Sequence, residues 1–279
     1  MALNAATIGR RYRTSAEFVR LEAISDYAAA TNDLNPRYEG AAPAAIAPPL
    51  LPVRLLWDVC KKVVFDPEVG VDMLRLVHGE QDMVFHDVLR PWDLVAARAT
   101  VLAVDRKASG EVLTVGQRLM RDGECVTEVK SAYFIRGDSP QGEARPVAVP
   151  PARTYLFERA FDIDADQPHR YAAASLDGNP IHTDPAVAKA AGLPGIILHG
   201  VCTMALTGRE VVNALCAGEP RRLRRLKVRF SRMVLPGDVL TTRAWEVDEV
   251  DGCRTVGVET VNQRGELVLS NGLAELRTC

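Results

Sequence analysis

Tyr27-Ala-Ala-Ala-Thr-Asn-Asp33-Leu-Asn35-Pro36-Arg-Tyr38 aligns without gaps on Tyr171-Ala-Ala-Ala-Ser-Leu-Asp177-Gly-Asn179-Pro180-Ile-His182, with seven identities in twelve positions. Low-complexity alanine accounts for only three of them. A second echo follows at nearly the same offset, where Phe85 and the turn Pro91-Trp92-Asp93 correspond to Phe230 and Pro236-Gly237-Asp238. Self-similarity of this kind marks a tandem duplication. The 279 residues therefore divide into an N-terminal unit, 1–138, and a C-terminal unit, 152–279, joined by a Gly- and Pro-rich linker at 139–151 that holds Pro140, Pro146, Pro150 and Pro151.

Each unit repeats one order of elements. In the second, Tyr155 to Phe161 predicts a strand, and Asp164 with Gln167 resembles a capping box for a helix through Ala174. Asp184-Pro185 caps a short helix that Gly192 ends, and an apolar helix runs from about His199 to Ala217. Strand candidates follow at Leu226–Val234, Val239–Val247, Arg254–Asn262 and Leu267–Leu276. One long buried helix followed by an antiparallel meander predicts an α+β fold, a sheet wrapped around that helix.

Composition narrows the function classes. The 47% hydrophobic and 25% charged fractions suit a globular chain and exclude disordered or collagen-like classes. A net charge of -2 leaves no global basic field for nucleic acid or acidic membranes. Met1 to Ser15 carries arginines but no apolar block, so no secretory signal is expected, and the expected location is the cytoplasm. The window Ala190 to Gly208 is apolar but holds Pro194 and His199, which fits a core helix better than a membrane span. The six cysteines show neither CxxC nor metal-ligand spacing with histidine and read as reduced core thiols.

Asp177-Gly-Asn-Pro-Ile-His182 joins two groups suited to proton transfer near neutral pH across a turn stiffened by Asn179-Pro180. Such a pair can face one water. The plain alternative is a turn-capping Asp177 and a packing His182. Eighteen residues after His182 comes Gly200, where the free N–H groups of a helix start favour developing negative charge; Gly200 equally suits close helix packing.

This set, continued by Thr183-Asp184-Pro185 and closed by His199-Gly200, resembles the hydratase 2 motif of MaoC-like (R)-specific enoyl-CoA hydratases and dehydratases. The resemblance covers essentially the whole chain and implies a tandem (double) hot-dog fold with the complete motif in the second unit. It implies that Asp177 and His182 act on a water that Asn179 helps to orient, that the Gly200 N–H binds the acyl carbonyl oxygen, and that no metal or redox cofactor is used. Tyr38 replaces the histidine in the first unit, so that unit is expected to be silent and to accommodate the acyl chain. Prolines between Ala41 and Pro52 would shorten its helix and open room there. Some single-domain members carry a serine eight residues after the motif glycine; Gly208 stands here, so no catalytic hydroxyl is assigned.

The run Arg221 to Arg232 holds seven basic residues and no acid. Arg221, Arg222, Arg224, Arg225 and Lys227 are candidates for the phosphates of coenzyme A or a carrier protein's phosphopantetheine, while Lys227 and Arg229 also fit the solvated face of a strand. The expected activity is reversible hydration of trans-2-enoyl-CoA. The rivals are a 3-hydroxyacyl-ACP dehydratase, a hot-dog thioesterase and a non-catalytic acyl-CoA-binding protein. The expected partners are the acyl-CoA or acyl-ACP substrate and, for a pseudo-dimeric chain, at most a second copy in a homodimer. His78, His86 and His169 show no partner pattern, and the three tryptophans read as packing residues.

Overall fold

A computed structural model describes residues 2–40, 45–137 and 153–278; the linker expected at 139–151 lies outside them. The N-terminal unit runs β1 (Arg11–Arg13), β2 (Glu17–Phe18), α1 (Leu21–Ala30), α2 (Pro52–Val64), β3 (Leu76–Phe85), β4 (Leu94–Lys107), β5 (Gly110–Arg121) and β6 (Glu124–Arg136). The C-terminal unit runs β7 (Phe157–Asp162), α3 (Gln167–Ser175), α4 (Pro185–Ala190), α5 (Gly200–Leu215), β8 (Leu223–Phe230), β9 (Val239–Val250), β10 (Cys253–Asn262) and β11 (Leu267–Arg277). The four predicted strands after α5 are all present, shifted by a few residues at their ends.

All strands join one antiparallel sheet in the order β1-β4-β5-β6-β3-β8-β11-β10-β9-β7, with β2 paired to β4. The order β1-β4-β5-β6-β3 is repeated in reverse as β8-β11-β10-β9-β7, so the duplication read from the sequence is a duplication of topology. The halves meet at β3 and β8, where Asp82 lies opposite Lys227 and Glu80 opposite Arg229. With Phe85 equivalent to Phe230, Asp82 and Lys227 are themselves equivalent positions; their pairing marks a pseudo-twofold axis, as in an isologous dimer. Each unit thereby covers the strand edge the other would leave open.

The sheet wraps two helices. α5 is buried at Cys202 through Gly208 and again at Glu210 through Val212, the pattern of a helix surrounded by core; it packs on β8, β9 and β11, while α2 packs on β4 and β5. This is the predicted α+β, double hot-dog architecture. α2 has 13 residues against 16 in α5, and Pro52 opens it. Of the apolar window 190–208 only the last nine residues, 200–208, begin this core helix, the stretch 191–199 being the loop before it, and no helix among the described residues is long and apolar enough to cross a membrane.

Candidate active site

The loop after α3 is built by its own side chains. Leu176 ends the helix in a left-handed conformation at φ 64°. The Asp177 N–H then donates to the Ser175 hydroxyl at 3.3 Å, the Asn179 N–H to an Asp177 carboxylate oxygen at 3.2 Å, and the Ile181 N–H to the Asn179 side chain at 3.4 Å. One tight turn, Pro180–His182, carries the histidine inward. Asn179 is exposed and spends its carbonyl on this turn. Through this contact Asn179 braces the loop that carries Asp177 and His182.

His182 is buried, and its Nδ1 lies 2.8 Å from the Ile197 carbonyl. A carbonyl accepts only, so Nδ1 carries the proton and Nε2 keeps a lone pair. The same logic fixes His199, whose Nε2 lies 3.0 Å from the Asp177 main-chain oxygen and whose buried Nδ1 has no partner. The two imidazoles stack at 3.7 Å between centroids and 25° between planes. His199 is also the N-cap of α5, so it ties the Asp177 loop to the helix start.

Electrostatics follow from burial. Desolvation pushes Asp177 up to about 6, opposed by the Asn179 N–H. It pushes His182 down to about 4 against the Ile197 carbonyl, and His199 to about 3, where the neighbouring His182 adds to the effect. At neutral pH the site therefore holds two neutral imidazoles and a carboxylate within a proton's reach of neutrality.

Asp177, His182 and His199 each place one ligand-type atom within 4.8 Å of the others, a set that could hold a metal ion. A water, which donates twice, also suits these acceptors.

Gly200 is the first residue of α5, so its N–H has no carbonyl one turn back to donate to. A Cβ there would lie 2.9 Å from Cδ1 of Phe230. Gly200 is thus both a helix-start residue and a point of close approach.

The N-terminal unit supplies the facing wall. The Phe230 ring lies 4.8 Å from His78, which lies 4.9 Å from Tyr133. Tyr133 and Cys60 sit hydroxyl to thiol at 3.1 Å; burial above all raises the pKa of both, and the Asp177 charge adds a little to it. His78 meets the Gln81 side chain at 3.0 Å, and burial pushes its ring down to about 4.

Two family descriptions match the chain in tandem: "FAS1-like, dehydratase domain region" over residues 6–129 and "MaoC like domain" over 146–266. The chain belongs to the MaoC-like dehydratases. A "Probable enoyl-CoA hydratase 2" of Dictyostelium discoideum is 28% identical over 85% of this chain and 82% of its own length. The peroxisomal multifunctional enzyme type 2 of Drosophila melanogaster is 30% identical over 88% of this chain, which spans only 42% of that larger protein. The crystal structure of a MaoC-like dehydratase from Phytophthora capsici superposes with a TM-score of 0.81 at 25% identity, covering 99% of this chain and 98% of its own.

In this MaoC-like chain the predicted residues divide into two places. Asp177, His182 and Gly200 come together. The arginine cluster does not join them: β8 runs from Leu223 to Phe230, and seven residues of strand separate its ends by about 23 Å. Gly200 packs at the Phe230 end, whereas Arg221 and Arg224 sit at the Leu223 end. Arg225 is committed to Asp82 at 2.7 Å and Glu275 at 2.8 Å, and Arg222 donates to the Arg277 and Thr278 carbonyls. Lys227 lies opposite Asp82 with Leu226 and Val228 buried on either side, the solvated strand face that alternation predicts. Arg222 and Arg225 thus also tie the sheet together. Sequence reasoning missed His78, Cys60 and Tyr133, which lie about 45 to 120 residues from the motif and carry no local signature, and used His199 only as a marker for Gly200.

Proposed function

We propose that the chain reversibly hydrates trans-2-enoyl-CoA to (R)-3-hydroxyacyl-CoA as a hydro-lyase, with Asp177, His182 and Gly200 as its working groups. The observation that carries this is the placement of a carboxylate, the unprotonated Nε2 of a neutral histidine and a free helix-start N–H around one mostly buried spot. Asp177 and His182 hold a water between two acceptors. Its oxygen attacks C3 as the pair removes one proton, electrons move toward the thioester carbonyl, and the Gly200 N–H donates to the enolate-like oxygen. The same proton then passes to C2 on the same face, so both hydrogens and the oxygen of water end in product. Read in reverse, the steps are dehydration.

The acyl part would lie against the wall of α2, β3 and β6. Cys60 pairs with Tyr133 and His78 with Gln81, so these polar atoms satisfy each other and leave ring faces toward the site.

The test is loss of the conjugated-enoyl absorbance across a panel of trans-2-enoyl-CoA thioesters, followed by chiral analysis of the product. Turnover to the 3-hydroxyacyl thioester supports the reading. Release of free CoA, or no turnover with tight binding, would replace it with a thioesterase or a binding protein.

A further inference from the structure

The pseudo-twofold axis gives the active site a counterpart around the start of α2, and the chemistry of that counterpart is gone. Tyr38 stands where His182 does, and Pro52, which has no N–H, opens α2 where Gly200 opens α5. Beside it an open cleft of about 160 Å³ lies between Pro48, Phe85 and Leu89 of the N-terminal unit and Arg221, Arg224 and Arg277 of the C-terminal unit. Behind it a narrow crevice of only about 10 Å³ shares the Pro48-Pro49 wall and reaches Asp33, Tyr38 and Thr31.

The charges at the mouth are unbalanced. Arg224 donates to the His86 carbonyl at 3.0 Å, and neither it nor Arg277 makes an ion pair among the described residues. Burial, and after it the nearby Arg277 charge, holds the Arg224 guanidinium below its ordinary range. Asp87, the carboxylate on the rim, is taken by Arg121 and lies 3.8 Å from Arg90. Glu219, 3.8 Å from Arg221, is shared with Arg37 at 2.8 Å. Two like charges held together beside an apolar floor are costly alone and favourable around an anion. Guanidinium pairs suit phosphate geometry in particular.

We propose that this cleft is a second, non-catalytic site for a phosphate-bearing ligand of nucleotide size, its phosphates on Arg224 and Arg277 and its body against Phe85 and Leu89. Coenzyme A is the occupant we name, a choice that rests on the proposed reaction; the anion site itself does not.

The test is equilibrium dialysis of the full chain with labelled coenzyme A, with 3′,5′-ADP and inorganic phosphate as competitors. The expected result is two sites per chain, both competed by 3′,5′-ADP far better than by phosphate. Arg277→Glu should weaken one site at least tenfold and leave the other unchanged, while Arg277→Lys retains it. Circular dichroism checks that the charge reversal folds, and Arg277 is exposed at the end of β11. One site per chain, unaffected by Arg277→Glu in an active hydratase, overturns the second site and leaves the reaction standing. A second site that phosphate competes as well as 3′,5′-ADP overturns the nucleotide-sized ligand. An inactive chain that still loses one site in Arg277→Glu overturns the reaction alone.

Discussion

The hydroxyls of Tyr27 and Tyr171 lie 3.1 Å apart, fully buried, with their rings 5.6 Å between centroids at 61°. These are the first residues of the two aligned repeats, so the duplicated sequence meets itself near the pseudo-twofold axis. Each tyrosine ends in a polar atom that has to be satisfied inside the core, and each uses its own counterpart. Nearby, each long helix also ties to the other unit through an arginine, though not from equivalent positions: Arg54 of α2 donates to Ala174 at the end of α3, and Arg209 of α5 donates to Thr31 and Asn32 at the end of α1.

Tyr27→Phe and Tyr171→Phe should each strand one buried hydroxyl, costing about 1–3 kcal/mol. The double variant removes both hydroxyls and should cost clearly less than the sum. Denaturant unfolding of the four proteins measures the coupling; strict additivity would mean the two hydroxyls do not depend on each other.

Asp177→Asn and His182→Ala should each lower kcat/KM for an enoyl-CoA substrate by roughly 10²–10⁴ while the protein stays folded. Tyr38→Phe, at the equivalent position in the other unit, should change it little. Initial rates and circular dichroism on the same preparations separate chemistry from folding, and retained hydration in Asp177→Asn would remove the carboxylate from the mechanism.

The pattern of what the sequence disclosed has a physical cause. The repeat, the loop from Asp177 to His182 and the helix start at Gly200 are local, written in contiguous residues whose turns and caps are self-contained, and they were legible. The wall was not, because Cys60, His78 and Tyr133 reach the site only when β3 and β8 pair across the axis, and nothing near each of them in sequence records that pairing. The basic run was legible as charge but not as position. A strand moves successive side chains to opposite faces and carries them along its length, so Arg224, Arg225 and Phe230 serve three different places.

Burial raises Asp177 from its ordinary range to about 6, so its ionised form is the one the fold disfavours. Activity that needs the carboxylate should fall as pH drops through about 6, and more steeply near 4, where His182 gains its proton. For stability the sign is opposite for this group. The folded state holds the Asp177 proton more tightly than the unfolded chain, so the group's cost is absent below about pH 4 and complete above about 6. Asp177→Asn, a neutral isostere that still accepts from the Asn179 N–H, should therefore be more stable than the wild type at pH 8, by up to about 3 kcal/mol. That gain should vanish by pH 4. Unfolding curves at the two pH values check it, and an equal difference at both would sever the link between Asp177 burial and stability.

Gly200→Ala separates the two roles of that residue. The added methyl meets Phe230 at 2.9 Å, and overpacking of this kind costs typically about 1–3 kcal/mol. It leaves the N–H in place, so a loss of activity reflects the displaced helix start. Phe230→Leu should recover most of the stability, because the clash is with the ring edge. If the Gly200 N–H stabilises the enolate oxygen, that double variant should also recover kcat, since the donor returns to its position. If glycine is there for packing alone, Phe230→Leu restores the melting temperature, and kcat in Gly200→Ala is never reduced at a temperature where the variant is folded. Measuring kcat, KM and unfolding on wild type, both single variants and the double distinguishes the two.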